Sequence, residues 1–234
     1  MKIIIINGSA RKGNTLTAIN ALIKGASEKN EIEVIEPDKL QIAPCKGCGA
    51  CQCHKGCVDN DDTNPTIDKI AAADMILFTT PVYWWGMSAQ LKLVIDKCYC
   101  RGLQLKNKKV GVIAVGGSPV DSIQYELINK QFDCMADYLS WDMLFQKSYY
   151  ASEKTDLAKD ENSLKELEFD IVCQKFVDQG IIKGNTFFIY LSISVRKNTT
   201  PVDGEAIGMK ANFFHQFHVF FETVVMITGC FSCS

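Results

Sequence analysis

Lys2–Thr15 reads KIIIINGSARKGNT, and this stretch decides the fold. Ile3–Ile6 is an unbroken β-branched run, stiff at χ1 and suited to a pleated sheet. No polar residue alternates within it, so the strand Lys2–Ile6 is expected to be buried on both faces, as in a parallel sheet. Asn7-Gly8 ends the run. From Asn14 to about residue 28 a helix is expected, with Leu16, Ile19, Leu22 and Ile23 at helical spacing.

Further along the chain the same alternation continues. Strands are expected over Glu31–Ile35, Met75–Thr80 (ending at Pro81), Lys109–Val115 and Met143–Ser148. Helices are expected over Thr66–Ala72, Met87–Tyr99, Ser122–Leu139 and Glu161 to about Asp178. Alternating strands and helices imply a parallel sheet covered on both faces. Right-handed crossovers then wind it into a doubly wound α/β fold of five parallel strands. Residues 37–64 form a long loop rich in Cys, Gly and Asp, and loops of that length inside a compact domain usually carry function.

The chain has 234 residues, of which 47% are hydrophobic and 22% charged, as in an ordinary globular protein. The expected organisation is one domain over residues 1–180 and an extension over 181–234. The formal net charge is -2, and Lys and Arg are scattered, so nothing recommends a nucleic-acid partner and none is expected. The first apolar run is too short for a secretory signal, so a cytoplasmic location is expected. In the extension, Thr186–Val195 reads as a strand. Phe213–Phe231 is nearly apolar but contains His215, Gln216, His218 and Glu222, which argues against a membrane span and for a packed helix or an oligomer contact.

The turn Gly8-Ser9-Ala10-Arg11-Lys12-Gly13-Asn14-Thr15 has the chemistry of an anion site. A parallel strand delivers it to the carboxyl edge of the sheet, where open α/β folds bind ligands. The following helix offers unpaired N–H groups and a partial positive charge. Gly8 and Gly13 let the backbone close on an anion, Ser9, Asn14 and Thr15 add donors, and Arg11 adds charge. The spacing is neither a Walker loop nor a Gly-x-Gly-x-x-Gly fingerprint, and a terminal monophosphate suits it best.

The third strand runs into Thr80-Pro81-Val82-Tyr83-Trp84-Trp85-Gly86-Met87-Ser88. Aromatic rings at the carboxyl end of a parallel strand can stack on a flat ring, or they can form a subunit surface. Gly116-Gly117-Ser118 follows the fourth strand. Three loops at three strand ends therefore meet on one edge.

Eleven cysteines are present, and five lie between residues 45 and 57. Cys45, Cys48, Cys51 and Cys57, with Cys53 among them, are spaced with glycines so that a loop can wrap a small centre. Four thiolates suit a [4Fe–4S] cluster or structural zinc. Free thiols on a flexible loop are the third alternative. His54 lies in this loop and reads as a solvated side chain.

The phosphate loop and the segment Pro81–Asp96 together resemble the NADPH-dependent FMN reductase and iron–sulfur flavoprotein family, over roughly residues 1–180. The resemblance implies a flavodoxin-like fold, with Ser9, Arg11, Asn14 and Thr15 at the FMN phosphate. It places Pro81, Val82, Tyr83, Trp84, Gly86, Gly116 and Gly117 at the flavin ring. It also implies Cys45, Cys48, Cys51 and Cys57 as ligands of a [4Fe–4S] cluster. The expected function is oxidoreduction from NAD(P)H through FMN to a small-molecule or protein acceptor, in a homodimer or homotetramer. Two competing readings are a non-enzymatic flavin/iron–sulfur carrier and a zinc-stabilised binding module without flavin.

Overall fold

A computed structural model describes residues 1–26, 30–53 and 56–168. Six strands are present: β1 (Lys2–Asn7), β2 (Glu31–Ile35), β3 (Met75–Tyr83), β4 (Gly86–Met87), β5 (Lys109–Gly116) and β6 (Asp142–Tyr150). The order is β2-β1-β3-β5-β6, all parallel, as expected for a flavodoxin-like doubly wound sheet. β4 is a two-residue antiparallel addition to the end of β3.

Position in the sheet accounts for the burial patterns. Central β1 has Ile3–Ile6 fully buried, and β5 is buried from Val110 onward. The edge strands β2 and β6 are mostly half-buried. Successive side chains alternate between faces. Ile4 and Ile6 pack with Ile67, Leu91, Val94, Ile128 and Phe132, and Ile3 and Ile5 pack with Ala18, Ile19, Leu22, Leu157 and Leu167. Helices α2 (Thr63–Ala71), α3 (Ala89–Lys97) and α4 (Ile123–Leu139) therefore cover one face. Helix α1 (Asn14–Ala26), the short α5 (Asp156–Lys159) and a helical stretch over 161–168 cover the other.

Several boundaries differ from the sequence reading. α2 begins at Thr63 rather than Thr66, with Pro65 inside its first turn, where a missing N–H costs nothing. β3 does not end at Pro81. Pro81 pairs with Val115, and the strand continues to Tyr83 because Val82 and Tyr83 find partners in β4. That hairpin occupies Met87, so α3 starts at Ala89 with Ser88 as its cap. The expected last helix is seen over 161–168. The rest of that helix, His54, Thr186–Val195, Phe213–Phe231 and the proposed division at residue 180 lie outside the described residues.

The chain winds from β1 outward to β2 and then returns to β3 on the other side of β1. Such a reversal opens a crevice at the carboxyl ends of β1 and β3, which is where the candidate site lies. Among the described residues, no helix is long and apolar enough to cross a membrane.

Candidate functional site: a phosphate cup, an aromatic hairpin and a cysteine loop

The turn after β1 is anchored to the sheet at its first glycine. Gly8 N–H donates to the Thr79 carbonyl at 2.8 Å. A Cβ on Gly8 would lie 2.7 Å from that carbonyl oxygen, 2.9 Å from Ser88 Oγ and 3.0 Å from Leu91 Cβ. The loop is therefore pressed against β3 and α3 as closely as only glycine allows. Within it, Ser9 N–H donates to Asn7 Oδ1 (3.0 Å) and Arg11 N–H donates to Ser9 Oγ (3.3 Å). Thr15 sits nearly buried in the first turn of α1.

The turn walls a cavity of about 70 Å³, lined by Ser9, Arg11, Gly13, Asn14 and Thr15, by Pro81 and Val115 from β3 and β5, and by residues 151–154 after β6. A site that takes a whole small molecule measures roughly 300 Å³ or more. The cup thus fits a compact end group projecting from a larger ligand. The first amides of α1 have no intrahelical acceptor and carry the positive end of the helix dipole, which favours an anion. The guanidinium of Arg11 and the ammonium of Lys154 have no ion-pair partner among the described residues. A terminal phosphate fits this cup in size and donor supply, with Arg11 and Lys154 set against one lining carboxylate, Glu153.

The structure gives Asn14 a different surrounding from that of its neighbours. Its Nδ2 donates to the Glu153 carbonyl at 2.7 Å, and its Oδ1 accepts from Leu157 N–H at 3.1 Å. It ties the start of α1 to the segment after β6.

Beside the cup stands the β3–β4 hairpin. Val82 pairs with Met87 and Tyr83 with Gly86, which leaves Trp84 and Trp85 as a two-residue turn. Their φ angles are +47° and +59°. Such hairpin turns need positive φ at both positions and normally use Asn or Gly. Each L-residue held there costs about 1–2 kcal/mol. Trp84 is 91% exposed, with Trp85 and Tyr83 also exposed, so the strain is not offset by burial. The two indole centroids lie 5.7 Å apart. The turn thus holds two aromatic side chains toward solvent in a strained backbone.

Ser88 joins hairpin and cup, and the sequence reading did not single it out as a site residue. Its N–H donates to Thr80 Oγ1 (2.9 Å), its hydroxyl donates to the Gly8 carbonyl (2.6 Å), and its Oγ accepts from Leu91 N–H (3.2 Å). Both Ser88 and Thr80 are fully buried. The available signal was a serine directly before an apolar helical stretch, the mark of an N-cap. Gly116 lies on the same edge, where a Cβ would come within 2.9 Å of the Tyr125 hydroxyl and 3.0 Å of Val82 Cγ2. A Cβ on Gly117 would lie 4.0 Å from Ser152 Cα, at ordinary contact distance.

The cysteine loop is held in another way. Asn64 Oδ1 accepts from Cys57 N–H (2.9 Å) and its Nδ2 donates to the Cys57 carbonyl (2.8 Å), a bidentate clamp. Asp61 accepts from the N–H groups of Ala43 and Thr63, both at 2.9 Å, and Asp62 accepts from Gln41 N–H at 2.7 Å. Lys97, whose side chain is 2% exposed, donates to Asp59 Oδ2 at 2.6 Å and to Cys57 Sγ at 3.4 Å. The Lys97 hydrogen bond holds the Asp59 carboxyl below the usual carboxylate range. Burial works against Asp61, but hydrogen bonds from Thr63 and Ala43 outweigh it and lower that carboxyl too. Burial pushes the Cys98 thiol up to about 12, which marks it as inert.

Cys45, Cys48 and Cys53 are exposed, while Cys51 and Cys57 are half-buried. Among the described residues, no three His, Cys, Asp or Glu side chains come together as a metal site. Four thiols are the right donor chemistry for a cluster, but as placed they do not converge, and carboxylates and an amide hold the loop instead.

Comparison with known proteins agrees with this geometry. The family model described as NADPH-dependent FMN reductase matches residues 1–135, more than half of the chain. An iron-sulfur flavoprotein of Methanosarcina thermophila is 39% identical over 123 residues, covering 50% of this chain and 64% of that protein. An iron-sulfur flavoprotein of Methanocaldococcus jannaschii is 38% identical over 122 residues, covering 50% and 63%. The chain thus spans less than two thirds of the length of either relative. The solved structure of the Trp repressor binding protein from Bacillus subtilis superposes with a TM-score of 0.53 at 23% identity, over 72% of this chain and 98% of that one, and is similar in fold.

Proposed function

This chain belongs to the NADPH-dependent FMN reductase family, and from that premise we propose that it carries electrons from NAD(P)H through bound FMN to a small acceptor. The observation that carries the reading is the cup at the β1/β3 reversal, sized for a terminal phosphate and set beside the exposed aromatic hairpin. Ser9, Arg11 and Thr15, with the first amides of α1, receive the phosphate. Asn14 lines the same cup. Pro81, Val82, Tyr83, Trp84, Gly86, Gly116 and Gly117 receive the ring.

FMN supplies the acceptance of a reducing equivalent from a nicotinamide and its onward delivery. The chain's residues do the rest. Ser88 and Thr80 fix the distance between phosphate loop and ring edge through buried hydrogen bonds. The close packing at Gly8 holds the first loop against β3 and α3, and that at Gly116 holds the third against β3 and α4. The exposed Tyr83, Trp84 and Trp85 leave one side open for donor and acceptor, and a second copy in a homodimer or homotetramer covers part of them. A reducing, cytoplasmic setting accords with the eight described cysteines, all free thiols.

In a second reading the protein is a carrier in which Cys45, Cys48, Cys51 and Cys57 would hold a [4Fe–4S] cluster, which would supply single-electron transfer. The donor set and the relatives' names favour it, and the divergent placement of the thiols counts against it. Purified protein is expected to bind FMN and to bleach when NADH or NADPH is added without air. Failure to bind FMN contradicts the proposal. Bound flavin that neither nicotinamide reduces, with four equivalents of iron and sulfide, favours the carrier.

A further inference from the structure

The fourth wall of the cup comes from a part of the chain far from its first three. Residues 151–154 follow β6, at the carboxyl edge beyond β5, where Ala151 N–H donates to the Gly116 carbonyl at 2.8 Å. From there the chain passes over Gly13. The stem of Lys154 and its backbone carbonyl each lie 3.6 Å from where a Cβ on Gly13 would be. The segment is held in that position by Asn14, which grips it at both ends through the Glu153 carbonyl and Leu157 N–H. Asp156 closes the turn by accepting from Glu153 N–H at 2.7 Å. With its amide and carbonyl both engaged, Asn14 has one amide hydrogen left, and most of its hydrogen-bonding capacity goes to the segment rather than to the cavity.

Glu153 and Asp156 place two carboxylates on this segment. Asp156 is engaged by Glu153 N–H and paired with Lys159 at 3.5 Å. Lys154 has no such partner among the described residues and lines the same cup as Arg11. A cation left unpaired beside an anion-shaped cavity has a role there.

We propose that Lys154 is a second phosphate-binding cation and that Asn14 is the positioning residue that carries it over the cup. The inference rests on the FMN-phosphate reading given above and adds a wall and a charge to it. It makes the segment after β6 a determinant of the preference for phosphorylated over unphosphorylated flavin, because riboflavin presents nothing to either cation.

The test compares dissociation constants for FMN and riboflavin, by quenching of flavin fluorescence, in the full chain and its variants. Lys154→Ala is expected to weaken FMN about five- to tenfold and leave riboflavin unchanged. Lys154→Arg is expected to restore most of the loss. Lys165→Ala removes the same charge elsewhere and is expected to leave the ratio of the two constants alone. Asn14→Ala is expected to lower the ratio like Lys154→Ala, and the double variant to be no worse than the stronger single, since both act through one contact. Thermal unfolding of each variant separates a local change from a failure to fold. If the wild type prefers FMN and Lys154→Ala leaves the riboflavin-to-FMN ratio unchanged, or if Lys165→Ala lowers it equally, this inference is overturned while the site reading stands. If the wild type holds riboflavin as tightly as FMN, the site reading falls and the inference with it.

Discussion

The phosphate cup and the cysteine loop both follow carboxyl ends of strands, yet they are stabilised in opposite ways. The cup is built by the sheet: Gly8 is pressed on β3, Ser88 and Thr80 lock it to the hairpin, and Ser9, Arg11, Asn14 and Thr15 line its cavity. The cysteine loop holds itself. Asp59, Asp61, Asp62 and Asn64 satisfy its own backbone and Lys97, and its thiols are left over. The first region has spare donors for an anion, and the second has spent its polar groups on staying folded. A ligand is therefore expected to matter most where the chain leaves groups unsatisfied.

The largest expected effect follows from breaking the sheet's side of this contrast. Gly8→Val puts side-chain atoms into the Thr79 carbonyl and Leu91, both too firmly packed to move. A loss of about 2 kcal/mol or more is expected. For a domain of this size that lowers the midpoint of thermal unfolding by about 4–8 °C, together with loss of bound flavin. Unchanged melting would mean the loop is not pressed on the sheet.

A smaller effect comes from the loop's own clamp. Lys97→Met leaves Asp59 without its main partner and Cys57 Sγ without a donor. Hydrogen exchange of the loop amides over 41–64 is expected to quicken about fivefold. FMN affinity is expected to stay within about twofold, because the loop does not wall the cup. A large loss of FMN affinity in this variant would join the two regions that the geometry separates.

The smallest effect is in pH. Asp59 and Asp61 have folded pKa values below the ordinary value of 3.8. A depressed folded value contributes stability that is present above the unfolded pKa and lost as pH falls through the folded one. Loop protection is therefore expected to persist from neutrality down to about pH 4 and to fail below that. A phosphate monoester takes up its second proton near pH 6, so FMN affinity should weaken several-fold between pH 7 and 5 while the loop is still closed. Simultaneous loss of both would contradict their independence.

The contrast also explains what was legible in the sequence. The Ile3–Ile6 run and the turn behind it were readable because a buried parallel strand and a glycine-bounded helix start are local patterns. Pro81 misled because proline usually ends a strand, and only the distant partners Val115 and Met87 show that this one does not. The hairpin was hidden for a related reason: Trp84-Trp85 is not a sequence that the turn rules select. Cys45, Cys48, Cys51 and Cys57 were conspicuous by spacing, whereas the groups that hold their loop, Asp61 with Ala43 and Lys97 with Asp59, are pairs joined across 18 and 38 residues. The fourth wall of the cup was out of reach altogether, because Asn14 and Glu153 are 139 residues apart and meet only once the sheet has closed.

The central claim is that the cup after β1 binds the phosphate of FMN. Its most direct measurement is the ratio of riboflavin to FMN dissociation constants in the wild type and in Arg11→Ala. FMN is expected to bind at least about a hundredfold more tightly in the wild type, and Arg11→Ala to reduce that advantage about tenfold or more with riboflavin unaffected. Equal affinities in the wild type, or a ratio indifferent to Arg11, would contradict the account.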